Sequence, residues 1–316
     1  MENFPDISRH LHFEEGFCYP DWVAVGDFIH SAVHDTQLNA AWEHAAKTWL
    51  TLNAKNLSSD YQIHSTENFL LLTAAPMRVA KDACLYNEYA LTEIMRLLDG
   101  VASDEGYGKH VAIMFSNDIE YYRYISYFYP DGEHPGSSGM CIHSGYNHLV
   151  FPSQDHSMYR TVSVHELTHI CLGHLPIPLW VNEALAMTME EVVCGSAVFD
   201  LDREKYDKHT RYWTPQSIQQ FWSGESWRIS VEANELSYNL AQVLWRKIET
   251  DLSASREEIV KFVGSAHWDD GGESSFQRVF DLSLGALVED FLGEGDWSPK
   301  PHRWPKESGE DSSTDS

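Results

Sequence analysis

Hydrophobic and polar positions alternate along this chain with two periods, one of three to four residues and one of two. Residues 37–53 show the longer period, with apolar side chains at Leu38, Ala41, Trp42, Ala45 and Trp49. A stripe of that spacing lies on one face of a helix. The first 55 residues, 1–55, are therefore predicted to form a helical N-terminal extension.

Residues 56–153 switch repeatedly between the strand pattern and the helix pattern. The segment 61–74 is predicted to be extended, as one long strand or two shorter ones, and 77–98 to be a helix. A short buried strand follows at 110–115, and Asn117 starts a capping-box pattern for the next helix. This order predicts a small mixed sheet with helices, the upper lobe of the protein.

The rest of the chain has a simpler pattern. The stretches GMCIHS and NHLVF, separated by Gly145 and Tyr146, predict a hairpin at the end of the upper lobe. From 154 to 292 nearly every segment has the helical period, which predicts a helical lobe. Residues 293–316 are polar and rich in proline and serine, so they are predicted to be a disordered tail.

Charge and cysteine content narrow the class of protein. The 316 residues carry a net charge of −26, which argues against binding nucleic acid or an anionic membrane surface. The charge either serves solubility or favours basic peptide substrates. No apolar run approaches the roughly 20 residues that cross a bilayer, and the N-terminus has no secretion-signal pattern. The five scattered cysteines include no CxxC pair, which indicates free thiols in a reducing cytosol.

The stretch VSVHELTHI, residues 162–170, contains the strongest chemical signal. His165 and His169 lie one helical turn apart on the same face, and neutral imidazole binds zinc at about 2.0–2.1 Å. Glu166 is rotated by about 100° from His165, so it is placed to act on a water as general base rather than as a ligand. The opposite face is apolar. The alternative is an ordinary amphipathic helix in a chain with 17 histidines.

Catalytic zinc usually takes three protein ligands and leaves one position open. Gly173 and the turn LPIP end the first helix, and LWVNEALAM begins a second one. Glu183 lies in the second turn of that helix and can point back at the histidine pair. Glu190, two turns further on, can accept a hydrogen bond from a ligand histidine. The sequence thus predicts a Zn²⁺ site made by His165, His169 and Glu183.

The stretch VHELTHICLGHLPIPLWVNEALAM resembles the glutamate-zincin (gluzincin) metallopeptidases. Within them it is most similar to the peptidase MA-like group, which follows HELTH with a P-x-W-x-x-E-G-x-A helix. Weaker similarity covers residues 60–292. The chain differs from the group at Ala184, where glycine is usual, and at Met187, where many members carry an acidic residue. The resemblance implies the same three zinc ligands and the same general base.

Two further roles come from the resemblance. Related zincins use a tyrosine or histidine of a later helix to stabilise the oxyanion, and Tyr238 is the candidate here, with simple packing as the alternative. A strand before the active helix pairs with the substrate backbone in the related fold, and 147–151 would be that strand, with an ordinary sheet edge as the alternative. The aromatic run 121–129 is expected to be core. The other histidines near the motif are expected to be surface or core residues: His143, His148, His156 and His174.

These observations predict a two-lobed α+β protein with a zincin-like fold, a small mixed sheet with helices above a helical lower lobe, and an active-site cleft between the lobes. The predicted function is zinc-dependent hydrolysis of peptide bonds in the cytoplasm, with Glu166 as base and Tyr238 as oxyanion donor. Peptides or proteins are the expected substrates, with narrow specificity or a regulating protein partner. Two alternatives stay open: a catalytically silent zincin scaffold that binds a protein partner, and a zinc hydrolase of a non-peptide bond.

Overall fold

The computed structural model describes residues 4–130, 132, 138–153, 156–195 and 201–305. The fold is mixed α+β, as predicted. The chain divides into two compact units. Unit 1 comprises Met1–Gly173 with Met189–Ser196, and unit 2 comprises His174–Thr188 with Ala197–Ser316. The units therefore divide the chain at a different place from the predicted lobes.

Unit 1 contains all the strands of the described residues. Its elements are β1 (Leu11–Glu14), β2 (Phe17–Pro20), α1 (Trp22–Ala32), α2 (Leu38–Leu57), β3 (Gln62–Ser65), β4 (Phe69–Thr73), α3 (Met77–Leu97), β5 (His110–Met114), α4 (Asp118–Ser126), β6 (Met140–Ile142), β7 (His148–Phe151) and α5 (His156–Leu172). The predicted helix at 77–98, the strand at 110–115 and the hairpin near Gly145 are confirmed. The segment 61–74 forms two strands.

One mixed sheet organises unit 1, with the strand order β3-β4-β5-β7-β6. Strands β4, β5 and β7 are parallel, and β3 and β6 are antiparallel edge strands. Every residue of β4 is buried, which is typical of a sheet covered on both faces. The interpretation of 147–151 as an edge strand is wrong, because β5 pairs with one side of β7 and β6 with the other. The edge at this end of the sheet belongs to β6.

The N-terminal region is not a separate helical extension. Strands β1 and β2 form a hairpin that the helical pattern did not predict. Phe17 of β2 and Trp49 of α2 share one hydrophobic core with Leu70 and Val111 of the sheet. The indole nitrogen of Trp49 also donates a hydrogen bond to the Cys18 carbonyl at 2.9 Å. The apolar stripe of α2 therefore packs on unit 1, and the described part of 1–55 belongs to its core.

The helix after β5 has the predicted cap in part. Asn117 Oδ1 accepts a hydrogen bond from the Glu120 backbone at 3.0 Å. The Glu120 carboxylate accepts from the Tyr61 and Ser116 hydroxyls at 2.5 and 2.9 Å. The aromatic run that follows is core, as expected. Its fully buried members are Tyr121, Tyr124 and Ile125.

The described residues of unit 2 form helices and their connections, with no strand among them. Helix α6 (Leu179–Cys194) begins in unit 2 and ends in unit 1. The remaining helices are α7 (Arg203–Tyr212), α8 (Ile218–Trp222), α9 (Ser226–Ile229), α10 (Val231–Thr250), α11 (Arg256–Val263), α12 (Glu273–Phe280) and α13 (Leu284–Leu292). The helical pattern predicted for this part of the chain is confirmed.

The segment after α13 is packed on unit 2, which corrects the prediction of a disordered tail over 293–316. Trp297 is 7% exposed, and its carbonyl accepts a hydrogen bond from the Trp222 indole at 2.8 Å. The Gln219 amide donates to one carbonyl of this segment at 2.9 Å and accepts from one of its N–H groups at 2.7 Å. The free energy gained by burying a large aromatic side chain is enough to hold a segment whose other residues are mostly polar. Residues 306–316 lie outside the described residues.

Candidate metal centre

Helix α5 presents two histidines on one face and a core on the other. Asn87 of α3 holds this helix, because its Oδ1 accepts hydrogen bonds from the Tyr159 and Ser163 hydroxyls at 2.9 Å each. His165 and His169 are partly exposed, and their ring centroids lie 4.6 Å apart. The buried apolar side chains of α5 include Val164, Leu167 and Cys171. The two faces predicted from the sequence are therefore confirmed.

Glu190 on α6 fixes the orientation of His165. The Nδ1 atom of His165 donates to Glu190 Oε1 at 2.5 Å, and each side chain is 13% exposed. A carboxylate only accepts hydrogen bonds, so Nδ1 carries the hydrogen and the lone pair of the neutral ring is on Nε2. A histidine that binds a metal is typically held this way by a carboxylate. The predicted contact of Glu190 with a histidine of the pair is confirmed.

Glu183 completes a group of three donor atoms. One ligand atom from each of His165, His169 and Glu183 lies within 4.8 Å of the other two, and no other such group occurs among the described residues. Glu183 is 7% exposed. Two imidazole nitrogens and one carboxylate oxygen are donors that zinc prefers, and three protein ligands leave a coordination position open. This donor set fits a zinc ion.

Glu166 is tied to the edge of the sheet. Its Oε2 accepts a hydrogen bond from the backbone N–H of Cys141 at 2.8 Å. Cys141 is the middle residue of β6, so the edge strand fixes the carboxylate one residue after His165. The sequence analysis missed this contact because a backbone donor leaves no signal in the residue types.

The Cys141 side chain is part of the same neighbourhood but has a different character. Burial raises the pKa of this thiol well above its usual value, and the charges of Glu166 and Cys171 raise it further. A thiol with a raised pKa stays protonated near neutral pH and is a poor nucleophile. Cys141 therefore contributes its backbone to the site, and its thiol is a packing group.

Tyr238 is half-buried on α10, in unit 2. Its ring lies edge-on to Trp227, with the centroids 6.2 Å apart. The neighbours Leu236 and Leu240 are buried and belong to the core face of this helix. The role of Tyr238 as an oxyanion donor stays a prediction.

Two histidines near the motif have clear places outside the three-atom group. His148 is 1% exposed in the core of unit 1, with Nε2 at 2.7 Å from the Tyr124 hydroxyl and Nδ1 at 2.9 Å from the Tyr146 carbonyl. His143 follows β6 and is exposed. Both match the expectation that these histidines are core or surface residues.

Comparison with known proteins identifies no family for this chain. No protein-family model matches the chain, and no curated protein is significantly similar to it. None of the helices that the structure describes combines the length and the apolar character needed to cross a bilayer.

Proposed function

We propose that this protein is a zinc-dependent metallopeptidase that hydrolyses peptide bonds in peptides or proteins. The observation that carries the proposal is the convergence of donor atoms from His165, His169 and Glu183 within 4.8 Å. Glu166 follows the first of these ligands on the same helix, and Glu190 fixes the ring of His165. A solvated helix face does not require such a set of contacts.

In this proposal His165, His169 and Glu183 hold the zinc ion. When bound, zinc supplies a Lewis acid that polarises the amide carbonyl and makes water acidic enough to lose a proton near neutral pH. Glu190 keeps the Nε2 lone pair of His165 directed away from its own carboxylate. Its removal would leave the ring free to rotate.

Glu166 moves the proton. Water adds to the carbonyl carbon of the amide, and the Glu166 carboxylate accepts a proton from that water. The carbon–nitrogen bond then breaks, and Glu166 returns the proton to the leaving nitrogen. The Cys141 N–H holds this carboxylate between the edge strand and the helix. Tyr238 is the candidate that donates a hydrogen bond to the developing oxyanion.

The substrate is proposed to lie along β6 rather than β7. Cys141 is opposite Leu149 in the ladder, but its N–H points to Glu166. In an antiparallel ladder the N–H and C=O of one residue point to the same side, and alternate residues point to opposite sides. The Cys141 carbonyl therefore also faces away from β7, where the N–H of an extended peptide can donate to it.

A cytoplasmic location and a regulating protein partner also belong to the proposal. All five cysteines lie in the described part of the chain and are free thiols, and four of them are buried. A reducing compartment keeps such thiols intact. A peptidase in the cytoplasm requires narrow specificity or a partner that restrains it.

A library of mixed peptides, incubated with the zinc-loaded protein and read by mass spectrometry, tests the proposal. We expect a limited set of cleaved bonds. Glu166→Gln keeps the size of the side chain and removes the base, so cleavage should fall by about 10²–10⁴-fold with zinc content and melting temperature unchanged. Glu289→Gln, an exposed position on α13, is the matched control and should cleave like the wild type.

Other results would favour the alternatives. A protein that binds zinc but cleaves no peptide would be a scaffold. One that hydrolyses esters or other non-peptide bonds but no amides would be a different zinc hydrolase. A Glu166→Gln variant as active as wild type would remove Glu166 from the mechanism.

A further inference from the structure

Side chains along β6 alternate between the two faces of the sheet. Ile142 lies in the hydrophobic core that the sheet shares with the N-terminal region, and Met140 packs against that core. Cys141 has the opposite orientation, beside α5. His143, two residues further on, lies on the same face of the sheet as Cys141, because the His143 Nδ1 atom lies 3.9 Å from Cys141 Sγ. His143 is therefore on the side of the sheet that carries Glu166.

The imidazole of His143 lies beside Cys141, whose backbone N–H donates to the Glu166 carboxylate. Surrounding protein atoms displace water from the ring, which lowers the pKa of His143, and the charge of His169 lowers it further. A hydrogen bond with the Asn147 side chain acts in the opposite direction. The ring is still exposed at the protein surface. It thus combines exposure to solvent, and so to a substrate, with a position beside the residue that binds Glu166.

We propose that His143 contacts the substrate of the proposed peptidase and donates a hydrogen bond to the carbonyl oxygen of the scissile amide. The inference rests on the proposed function, since it places the peptide along β6. A peptide whose N–H donates to the outward carbonyl of Cys141 runs past the His143 side chain, two residues further along the chain. A neutral imidazole offers one N–H donor, which suits a carbonyl oxygen.

This role differs from that of the ligands and the base. The carbonyl oxygen becomes negative as water adds, so a hydrogen bond to it strengthens in the transition state. His143 comes from the loop between β6 and β7, whereas Tyr238 comes from α10. The two side chains are independent candidates for one donor role, and variants at each position can separate them.

Steady-state cleavage of the best peptide from the library tests the role of His143. We expect His143→Ala to lower kcat/KM by about 10²-fold, mainly through kcat, because the bond matters most in the transition state. Zinc content and melting temperature should stay at wild-type values, since the ring is exposed. Free imidazole should restore part of the activity of His143→Ala, and His143→Gln should retain more activity than alanine because its amide N–H can donate.

His302→Ala is the matched control, because His302 is exposed in a short 3-10 turn of unit 2. It should have wild-type kinetics with and without imidazole. A second readout is the affinity of the fluorescently labelled peptide for Glu166→Gln, which binds without turnover. Adding His143→Ala to that variant should weaken binding by about fivefold, as expected for one lost hydrogen bond.

The outcomes separate this inference from the proposed function. If wild type cleaves, Glu166→Gln does not, and His143→Ala stays within twofold of wild type with unchanged peptide affinity, the inference is overturned and the peptidase stands. If the zinc-loaded wild type cleaves no peptide, the proposed function fails and the role of His143 fails with it. Loss of zinc or of stability in His143→Ala, with no rescue by imidazole, would also overturn it and make His143 a structural residue.

Discussion

His148 and His165 are both largely enclosed by protein, yet their surroundings differ in kind. His148 is 1% exposed, and both ring nitrogens meet uncharged oxygens, the Tyr124 hydroxyl and the Tyr146 carbonyl. His165 is partly exposed, and its Nδ1 atom meets the carboxylate of Glu190. An uncharged surrounding accommodates a neutral ring and uses both nitrogens. A carboxylate partner on one nitrogen prepares the other to bind a cation.

The difference shows that burial alone does not identify a functional histidine. Desolvation lowers the pKa of His148 to about 4, so its ring is neutral in the folded protein near neutral pH. His209 in unit 2 is similar to His148, since it is fully buried between Asn239 and Trp213 and burial lowers its pKa. These two histidines stabilise a core, and among the residues that the structure describes only the group around His165 has the donor set of a metal site.

The largest expected effect is a difference in zinc content between variants of His165 and His148. Purified wild-type protein should contain about one zinc ion per chain. His165→Ala should reduce this to nearly none because it removes a ligand, with little change in the stability of the metal-free protein. His148→Ala should retain zinc at a temperature where the variant is folded. Its melting temperature should be lower than that of the wild type. Zinc content is measured by elemental analysis. Full zinc retention in His165→Ala would show that His165 is not a zinc ligand.

The second effect is the loss of stability in acid that His148 causes. Its pKa in the folded protein, about 4, is below the ordinary value of 6.5, so the unfolded chain binds a proton at higher pH than the folded one. The folded state therefore loses stability as pH falls from about 6.5 to about 4. At about 1.4 kcal/mol per pH unit, this interval corresponds to about 3 kcal/mol.

Urea denaturation from pH 7 to pH 4 measures this dependence. His148→Gln should remove the part of the pH dependence of the free energy of unfolding that His148 causes. The part that His209 causes should remain. The exposed His302→Ala variant should follow the wild-type curve. Parallel curves for wild type and His148→Gln would show that His148 is solvated in the folded protein.

Local patterns were enough to predict the group of donor atoms around His165. His165, His169 and Glu166 are within five residues of one another, and a helix fixes their directions. Glu183 and Glu190 follow after one proline turn, and helical spacing places them too. The helices, the strands within 61–74 and 110–115 and the hairpin near Gly145 also follow from periods that a short window of sequence contains.

Contacts between distant parts of the chain were not predictable in this way. Trp297 packs in unit 2 through Trp222, 75 residues earlier, and nothing in its polar neighbourhood indicates this partner. The edge position of β6 depends on the order of all five strands. The bond from Cys141 to Glu166 follows from that order, and its donor is a backbone group, so no residue type could have indicated it.

The third prediction concerns Glu190, the residue that distinguishes His165 from His148. Glu190→Gln keeps an acceptor for His165 Nδ1 but removes the charge. Zinc affinity should fall by about 10–100-fold, as is typical for a residue that orients a metal ligand. Competition with a chromophoric chelator measures this affinity. Glu289→Gln should bind zinc like the wild type. An unchanged affinity in Glu190→Gln would mean that the ring is held by its packing alone.

The smallest effect tests the hydrogen bond that makes His148 a core residue. Tyr124→Phe removes the hydroxyl that lies 2.7 Å from His148 Nε2, in a region where both rings are fully buried. The buried nitrogen then loses its partner, which should lower the free energy of unfolding at pH 7 by about 1–2 kcal/mol. Tyr127→Phe is a matched control, because the Tyr127 hydroxyl makes a similar contact with His12 at 2.6 Å on the exposed surface. Water can replace that bond, so the control should change stability by less than about 0.5 kcal/mol. Zinc content should be unchanged in both variants, since neither tyrosine belongs to the group around His165. Equal losses in the two variants would show that burial does not set the strength of the His148 contact, and the contrast between the two histidines would then rest on Glu190 alone.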